Sequence, residues 1–321
     1  MEGEHTLNER QVRPVLVSIL MTTYNHERYI AEAIESVLSQ RTGIPMQLVI
    51  AEDASTDHTL DICLHYQALY PDTVVVLPRP DNLGFVRNFC DAWGMCRGKY
   101  IAILEGDDLW CSPDKLQRQI DIMEAHPRYS MCFTQTGLKS EIPNRHDQWP
   151  YRPVTSLELT ASDILPHNLI ANCSAMYRAS ILGGDLLERY PWLLGLPYLD
   201  LPLHCLHGVH GPIRYIPEQL ATYRMHNGSA FESLPFRERI RRSIRVYEEM
   251  AAYLPVPYCH EARQTLLIMK AGLGLLDRSV FSAVTSLHVG RRLPLSYWAK
   301  TGQSAIGEAW QLMRGRYGAQ S

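Results

Sequence analysis

VLVSILMTTYNHERYIAEAIESVLSQ, residues 15–40, decides the fold. Its first eight residues form an apolar run rich in β-branched side chains. From Tyr29 onward, Ile30, Ala33, Ile34, Val37 and Leu38 recur at helical intervals, so the stretch predicts a buried strand followed by an amphipathic helix. The step repeats three times. MQLVIAED (46–53) precedes a helix from Asp57, TVVVLP (73–78) precedes a helix around Phe85 to Cys96, and KYIAILE (99–105) precedes a helix from Pro113. Apolar strands alternating with helices predict an α/β fold: a mostly parallel sheet covered on both faces. In such sheets ligands sit beyond the carboxyl ends of the strands. Three polar junctions fall there, TTYNHE (22–27), EDASTD (52–57) and EGDD (105–108), and one site can gather all three.

Downstream the pattern changes. EIPNRHDQWPYRPVTS (141–156) is Pro-rich and polar and predicts a long surface loop. CSAMYRASILGGDLLERY (173–190) predicts a strand leading into a helix, Asp200 to His207 a short helix, and IRYIPEQLATYRMHN (213–227) a strand or two. From Pro235 the chain turns helical and more basic, so residues 1–234 are assigned to the α/β domain and 235–321 to a helical appendage. No internal repeat or low-complexity tract is present.

A chain of 321 residues, 46% hydrophobic, can bury a large core, and a formal charge of −3 supplies no global basic field, so nucleic acid is not an expected partner. The eight cysteines carry no C-x-x-C spacing, which predicts a reduced, cytoplasmic protein. The first fourteen residues lack the apolar core of a signal peptide, and no stretch approaches the ~20 apolar residues of a membrane span.

Glu105, Asp107 and Asp108 crowd three carboxylates at a strand end. Their mutual repulsion is costly, and a hard divalent cation such as Mg²⁺ or Mn²⁺ would relieve it. A solvated acidic turn, or caps for the helix that begins near Pro113, are the plainer alternatives.

Read together, VSILMTTYNHERYIAEAIESVLSQ (17–40), VIAEDASTDHT (49–59), DNLGFVRNF (81–89), KYIAILEGDDLW (99–110) and YIPEQLATYRMHNGS (215–229) resemble glycosyltransferase family 2, whose members have the Rossmann-like GT-A fold and use nucleotide-sugar donors. The blocks lie in order over about two thirds of the chain. The resemblance implies metal-dependent, inverting transfer of a sugar from a nucleoside diphosphate, uridine being the first expectation, to an acceptor hydroxyl. That acceptor would be a glycan, a lipid-linked or a small molecule, in bacterial surface polysaccharide assembly. It implies that Thr23, Tyr24 and Glu27 border the base and ribose, with the Tyr24 ring as a stacking face. Asp53 would accept from the nucleobase, Gly84 would permit a turn near the donor, and Arg87 would be a cation for phosphate or sugar. Glu105, Gly106 and Asp107 stand where the family has D-x-D, with Glu in place of the commoner first Asp. Asp107 and His226 would hold the Mn²⁺ or Mg²⁺ ion. Asp200 would be the general base, with Glu188 and Asp185 as fallbacks, and Asn172 and Ser174 would meet the acceptor.

Each of these residues also has an ordinary structural reading. Tyr24 suits strand-end packing, Arg87 a solvated helix face, Asp200 the start of a helix with Pro202 in its first turn, and Asn172 and Ser174 a buried strand. HCLHGVH (204–210) has the look of a zinc site but lacks a second ligand pair with matching spacing. RERIRRSIR (237–245) reads as a solvated helix face or as a contact with anionic lipid at the inner face of the membrane. Two rival functions share the fold: a non-catalytic nucleotide-sugar-binding protein, and a sugar nucleotidyltransferase. The latter normally carries a Gly-rich, basic phosphate loop at its N-terminus, and TTYNHERYI has none.

Overall fold

The computed structural model describes residues 16–141, 148, 149, 154, 156–228, 231 and 233–276. The repeated step folds as expected. β1 (Val17–Thr23), α1 (Ile30–Leu38), β2 (Met46–Glu52), α2 (Thr59–Leu69), β3 (Val74–Pro78), α3 (Phe85–Trp93) and β4 (Tyr100–Ile103) follow in order, and α3 ends three residues before Cys96. β2 and β4 flank β1 and β3 pairs with β2, all parallel, with Leu20 opposite both Val49 and Ile103. Period-two alternation sorts these strands between two cores. Val17, Ile19 and Met21 pack with Ile30, Ile34 and Val37 of α1, whereas Leu20, Val49, Ile101 and Ile103 pack with Phe89 and Trp93 of α3. Side chains this deeply buried each contribute about 1.5–3 kcal/mol relative to exposure.

The second half is mixed. It contains β5 (Leu109–Trp110), α4 (Lys115–Ala125), β6 (Met131–Ser140), β7 (Gln148–Trp149), β8 (Glu158–Leu159) and α5 (Ala161–Ile164). A 3-10 turn (Asn172–Ser174) leads into β9 (Met176–Arg178), α6 (Leu186–Arg189), a second 3-10 turn (Pro191–Gly195), α7 (Asp200–Gly208) and β10 (Ile213–Met225). The sheet order is β3-β2-β1-β4-β9-β6-β10-β5, with β7 on β6 and β8 on β10. β9 runs antiparallel to both β4 and β6, and β6 runs parallel to β10. The sequence pattern places no strand at 131–140. Only Met131, Cys132 and Phe133 are apolar before polar Thr134, Gln135 and Thr136, and both threonines are buried, so the buried face does not read as a hydrophobic run. The 213–227 segment is one long strand whose pairing shifts register between Ile216 and Ala221, around Pro217.

α8 (Phe236–Tyr253) and α9 (Tyr258–Leu276) complete the described chain. Val246, Tyr247 and Met250 of α8 and Ala262 of α9 enter the same core as Leu203 of α7, and the Tyr247 hydroxyl donates to the Leu165 carbonyl. The helical region is therefore packed into the α/β unit. No helix of the described residues is long and apolar enough to cross a membrane. All eight cysteines are free thiols. Residues 277–321 of the expected helical appendage, most of the 141–156 loop and the first fourteen residues lie outside the described residues.

Candidate active site

The loops after β1 and β2 are stitched together by short polar side chains. Asn25, with φ of 56°, donates its backbone N–H to Ser55 Oγ (2.9 Å) and accepts from Thr56 N–H through Oδ1 (2.8 Å). Glu27 N–H donates to Asp57 Oδ2 (3.1 Å) while Glu27 Oε2 accepts from His58 N–H (3.1 Å), a reciprocal clasp at the start of α2. Asp57 also accepts from Thr59 N–H (2.9 Å), the first residue of α2. Burial alone would raise the Asp57 carboxyl, but the hydrogen bonds from Thr59 and Glu27 outweigh it and hold it low.

Asp53 is almost fully buried. Its Oδ1 accepts from Leu83 N–H (2.8 Å) and its carbonyl from Asn82 Nδ2 (3.0 Å), so it ties the 81–84 loop to the end of β2. Gly84 caps α3 at φ 79°, a conformation that favours glycine. Tyr24, Leu83 and Phe85 stay exposed around this end of the site. Arg87 is exposed and lies 3.7 Å from Asp91 on its own helix.

The EGDD turn packs onto β1 because residue 106 is glycine: a Cβ there would sit 2.6 Å from Thr23 Oγ1. Its three acids then take three different states. Burial would raise Asp107, but the His26 imidazole and a hydrogen bond from His226 hold it below the usual carboxylate range. His226 Nε2 lies 3.1 Å and His26 Nε2 3.8 Å from Asp107 Oδ2. Burial, together with the charges of Asp107 and Glu105, pushes Asp108 well above that range, and its Oδ1 accepts from the Arg224 N–H (2.7 Å). This bond ties the EGDD turn to the end of β10, two residues before His226. Glu105 is pushed up to about 7, chiefly by burial, against a hydrogen bond from Asn172. Much of the repulsion read from the sequence is thus relieved by protonation.

The His226 ring packs against Tyr29 (4.5 Å between centroids), and Arg224 lies over Tyr29 at 4.7 Å. His226 Nδ1 accepts from Gly228 N–H (3.1 Å), so the neutral ring carries its proton on Nε2 and donates it to Asp107. Ligating a metal through Nε2 requires the other tautomer. Among the described residues no three His, Cys, Asp or Glu side chains form a complete metal cage, the HCLHGVH segment included. An ionised Asp107 with one imidazole does suit a Mg²⁺ or Mn²⁺ ion that takes its remaining oxygens from phosphate and water.

Asp200 opens α7, where the helix dipole favours an anion. Burial nevertheless lifts its carboxyl to about 6, against the Leu201 N–H and the Asn168 amide. Asn168 Nδ2 donates to Asp200 Oδ2 at 2.5 Å. Asp200 Oδ1, Glu105 Oε2 and Asn172 Oδ1 are sealed from solvent without a hydrogen-bond partner among the described residues. The Asp200 charge also contributes to raising Glu105, so the two acids share one region.

The fold thus brings Thr23, Gly106, Asp107 and His226 together, and Glu105, Asn172 and Asp200 beside them. Ser174 is fully buried beneath the turn, its hydroxyl spent on the Ala171 carbonyl (2.7 Å). Asp185 caps α6 and Glu188 is exposed on the same helix. Sequence reasoning missed two residues. His26 lies within the TTYNHE junction and could have been found there, whereas nothing local marks Asn168.

The glycosyl transferase family 2 model matches residues 18–183. The uncharacterized protein Rv1520 of Mycobacterium tuberculosis is 35% identical over 211 residues, 65% of this chain and 59% of its own length. The chain thus spans less than two thirds of that relative. Among solved structures, TarS residues 1–349 of S. aureus in complex with UDP-GlcNAc aligns with a TM-score of 0.58 at 17% identity, covering 92% of this chain and 81% of that one. The mannosyltransferase PcManGT of Pyrobaculum calidifontis, in complex with GDP-Man and Mn²⁺, aligns with a TM-score of 0.57 at 16% identity over 95% and 85% of the two chains. With the family model covering just over half of the sequence and the fold matching glycosyltransferases along nearly all of it, this chain belongs to glycosyl transferase family 2.

Proposed function

We propose that the protein is an inverting, metal-dependent glycosyltransferase that moves a sugar from a nucleoside diphosphate, uridine diphosphate first, to an acceptor hydroxyl of a glycan, lipid-linked or small molecule in bacterial surface polysaccharide assembly. The observation that carries this reading is the contrast between two acids. Asp107, beside two imidazoles, is held ionised, while Asp200, half-buried with one sealed oxygen unpartnered, is poised near 6 to take up a proton.

Asp200 Oδ1 receives the acceptor hydroxyl proton as the acceptor oxygen bonds to the anomeric carbon. The bond from that carbon to the phosphate oxygen breaks, its electron pair leaves with the nucleoside diphosphate, and the single displacement inverts the centre. Asp107, with His226 in its other tautomer, would hold Mn²⁺ or Mg²⁺, which would supply positive charge for the departing diphosphate. Glu105 and Asn172 offer buried oxygens to sugar hydroxyls, which can fill the acceptors left unpaired there. Thr23, Tyr24, Glu27, Asp53, Gly84 and Arg87 shape the nucleotide end, with Asp53 and Glu27 acting through the loops they clasp. The exposed Arg237, Arg241 and Arg245 on α8 are proposed to touch anionic lipid at the inner face of the membrane, although Arg241 and Arg242 lie within 4.0 and 3.7 Å of Glu238.

Calorimetric titration of UDP with Mn²⁺ and then with EDTA tests the donor site. Binding that requires the metal supports it. Absence of binding by UDP, GDP and dTDP alike overturns it. Retention of configuration at the anomeric carbon, read by NMR of the product, would remove the single displacement.

A further inference from the structure

We infer that Asn168 is a positioning residue for Asp200: its amide selects which carboxylate oxygen is left to meet the acceptor and favours the proton-accepting form. The inference rests on the base role proposed for Asp200.

The amide orientation follows from its surroundings. Ile170 N–H can only donate, and it meets Asn168 at 3.2 Å, so that end of the amide is Oδ1. The NH₂ end is therefore the one facing Asp200, where it donates to Oδ2 at 2.5 Å. Ile170 is fully buried in the core shared with Leu199 and Leu201, which flank Asp200. The turn that fixes the amide and the helix start that carries the carboxylate are thus anchored in one packed body.

Two consequences follow. With Oδ2 occupied, Oδ1 is the oxygen left without a partner, so Asp200 presents one atom for the incoming proton. The second consequence is electrostatic. Among the described residues, the Asp200 charge acts on Glu105 from the EGDD turn, Tyr177 from β9, Tyr198 from the segment before α7, and Cys205 from α7 itself. Burial pushes both phenols and the thiol up, so they are neutral, and Glu105 is an acid. No cation stands among these groups. The nearby Leu201 N–H first, and then the Asn168 amide, favour the anion against burial, and a donor that contacts the charged form lowers a carboxyl's affinity for protons.

The test is a ¹³C NMR titration of the protein with labelled Asp carboxyls, the Asp200 resonance being assigned by its loss in Asp200→Asn. In Asn168→Ala the Asp200 midpoint is expected to move up by about one unit, a tenfold change in ionisation equilibrium. Asn168→Ser, able to accept from Ile170 N–H but too short to reach Asp200, is expected to shift it in the same direction. It replaces the Ala variant if that protein does not fold. A midpoint unchanged within a few tenths in a folded variant overturns the inference. Release of nucleoside diphosphate by Asp200→Asn is read separately. If Asp200→Asn turns over like the native protein, the base role fails even where the titration shifts. If it is inactive and the titration does not shift, only the role of Asn168 fails.

Discussion

The two halves of the site solve opposite problems with similar residues. On the proposed nucleotide side, Asn25, Glu27, Asp53, Ser55 and Asp57 are polar or acidic, and their side chains spend themselves on nearby backbone N–H groups. On the proposed acceptor side, Glu105, Asn172 and Asp200 are held by one another and by Asn168, and each keeps a buried oxygen without a partner among the described residues. The first arrangement builds a rigid rim. The second stores unmet hydrogen-bonding capacity, which costs stability and which a hydroxyl-rich ligand can satisfy.

The largest expected effect tests that contrast directly. Asp200→Asn should lower turnover by about a thousandfold, the scale of general-base removal, while donor affinity by calorimetry stays within a few-fold. Native turnover should fall on the acid side as Asp200 protonates near its value of about 6. The same substitution should stabilise the fold. The folded Asp200 value is raised above the unfolded one, so its contribution is fully favourable below the unfolded value and is lost as pH rises through about 6. At a pH of about 8 the uncharged variant should gain roughly 1 kcal/mol, read as a higher melting temperature. A destabilised, fully active variant would erase the distinction between the two halves.

Asp107→Ala should abolish metal-dependent UDP binding and reduce turnover by on the order of a hundredfold with little change in melting temperature, since the residue keeps partial exposure and its partners are imidazoles. A fully active Asp107→Ala protein would sink the metal assignment.

The rim behaves differently. Asp53→Ala strips the acceptor from the Leu83 N–H and should cost about 1–3 kcal/mol in chemical denaturation, with donor binding weakened through the displaced loop. Normal stability combined with lost UDP affinity would instead mean that Asp53 serves the nucleotide alone. Last is Gly84→Ala, which has open space around its Cβ but must hold φ 79° with ψ 153°, backbone that is essentially reserved for glycine, and should cost about 1–3 kcal/mol in melting experiments.

Legibility divides along the same line. β1 to β4 and their helices could be read because β1, β2 and β4 are buried on both faces and β3 on one, all as apolar runs, and each helix follows at once, so the pattern is local. β6 escaped because its buried face is built from threonines as well as apolar residues. The EGDD turn could be located, but the fate of its acids could not, because Asp108 is neutralised by burial and Asp107 is held ionised by rings from residues 26 and 226. The pairing of His226 with Asp107 was expected from family resemblance, whereas the tautomer of its neutral ring followed only from the Gly228 N–H at Nδ1.

By itself, then, the sequence determined the α/β architecture, the strand ends where chemistry gathers and the family to which the chain belongs. All of these depend on residues close together along the chain or on the order of short blocks. Only the tertiary structure decided which carboxylate is ionised, which oxygen is free and which amide holds Asp200, because burial and hydrogen-bond direction arise when segments distant in sequence meet. Asn168 and Asp200, thirty-two residues apart, become neighbours at 2.5 Å only when α7 docks against the loop before β9.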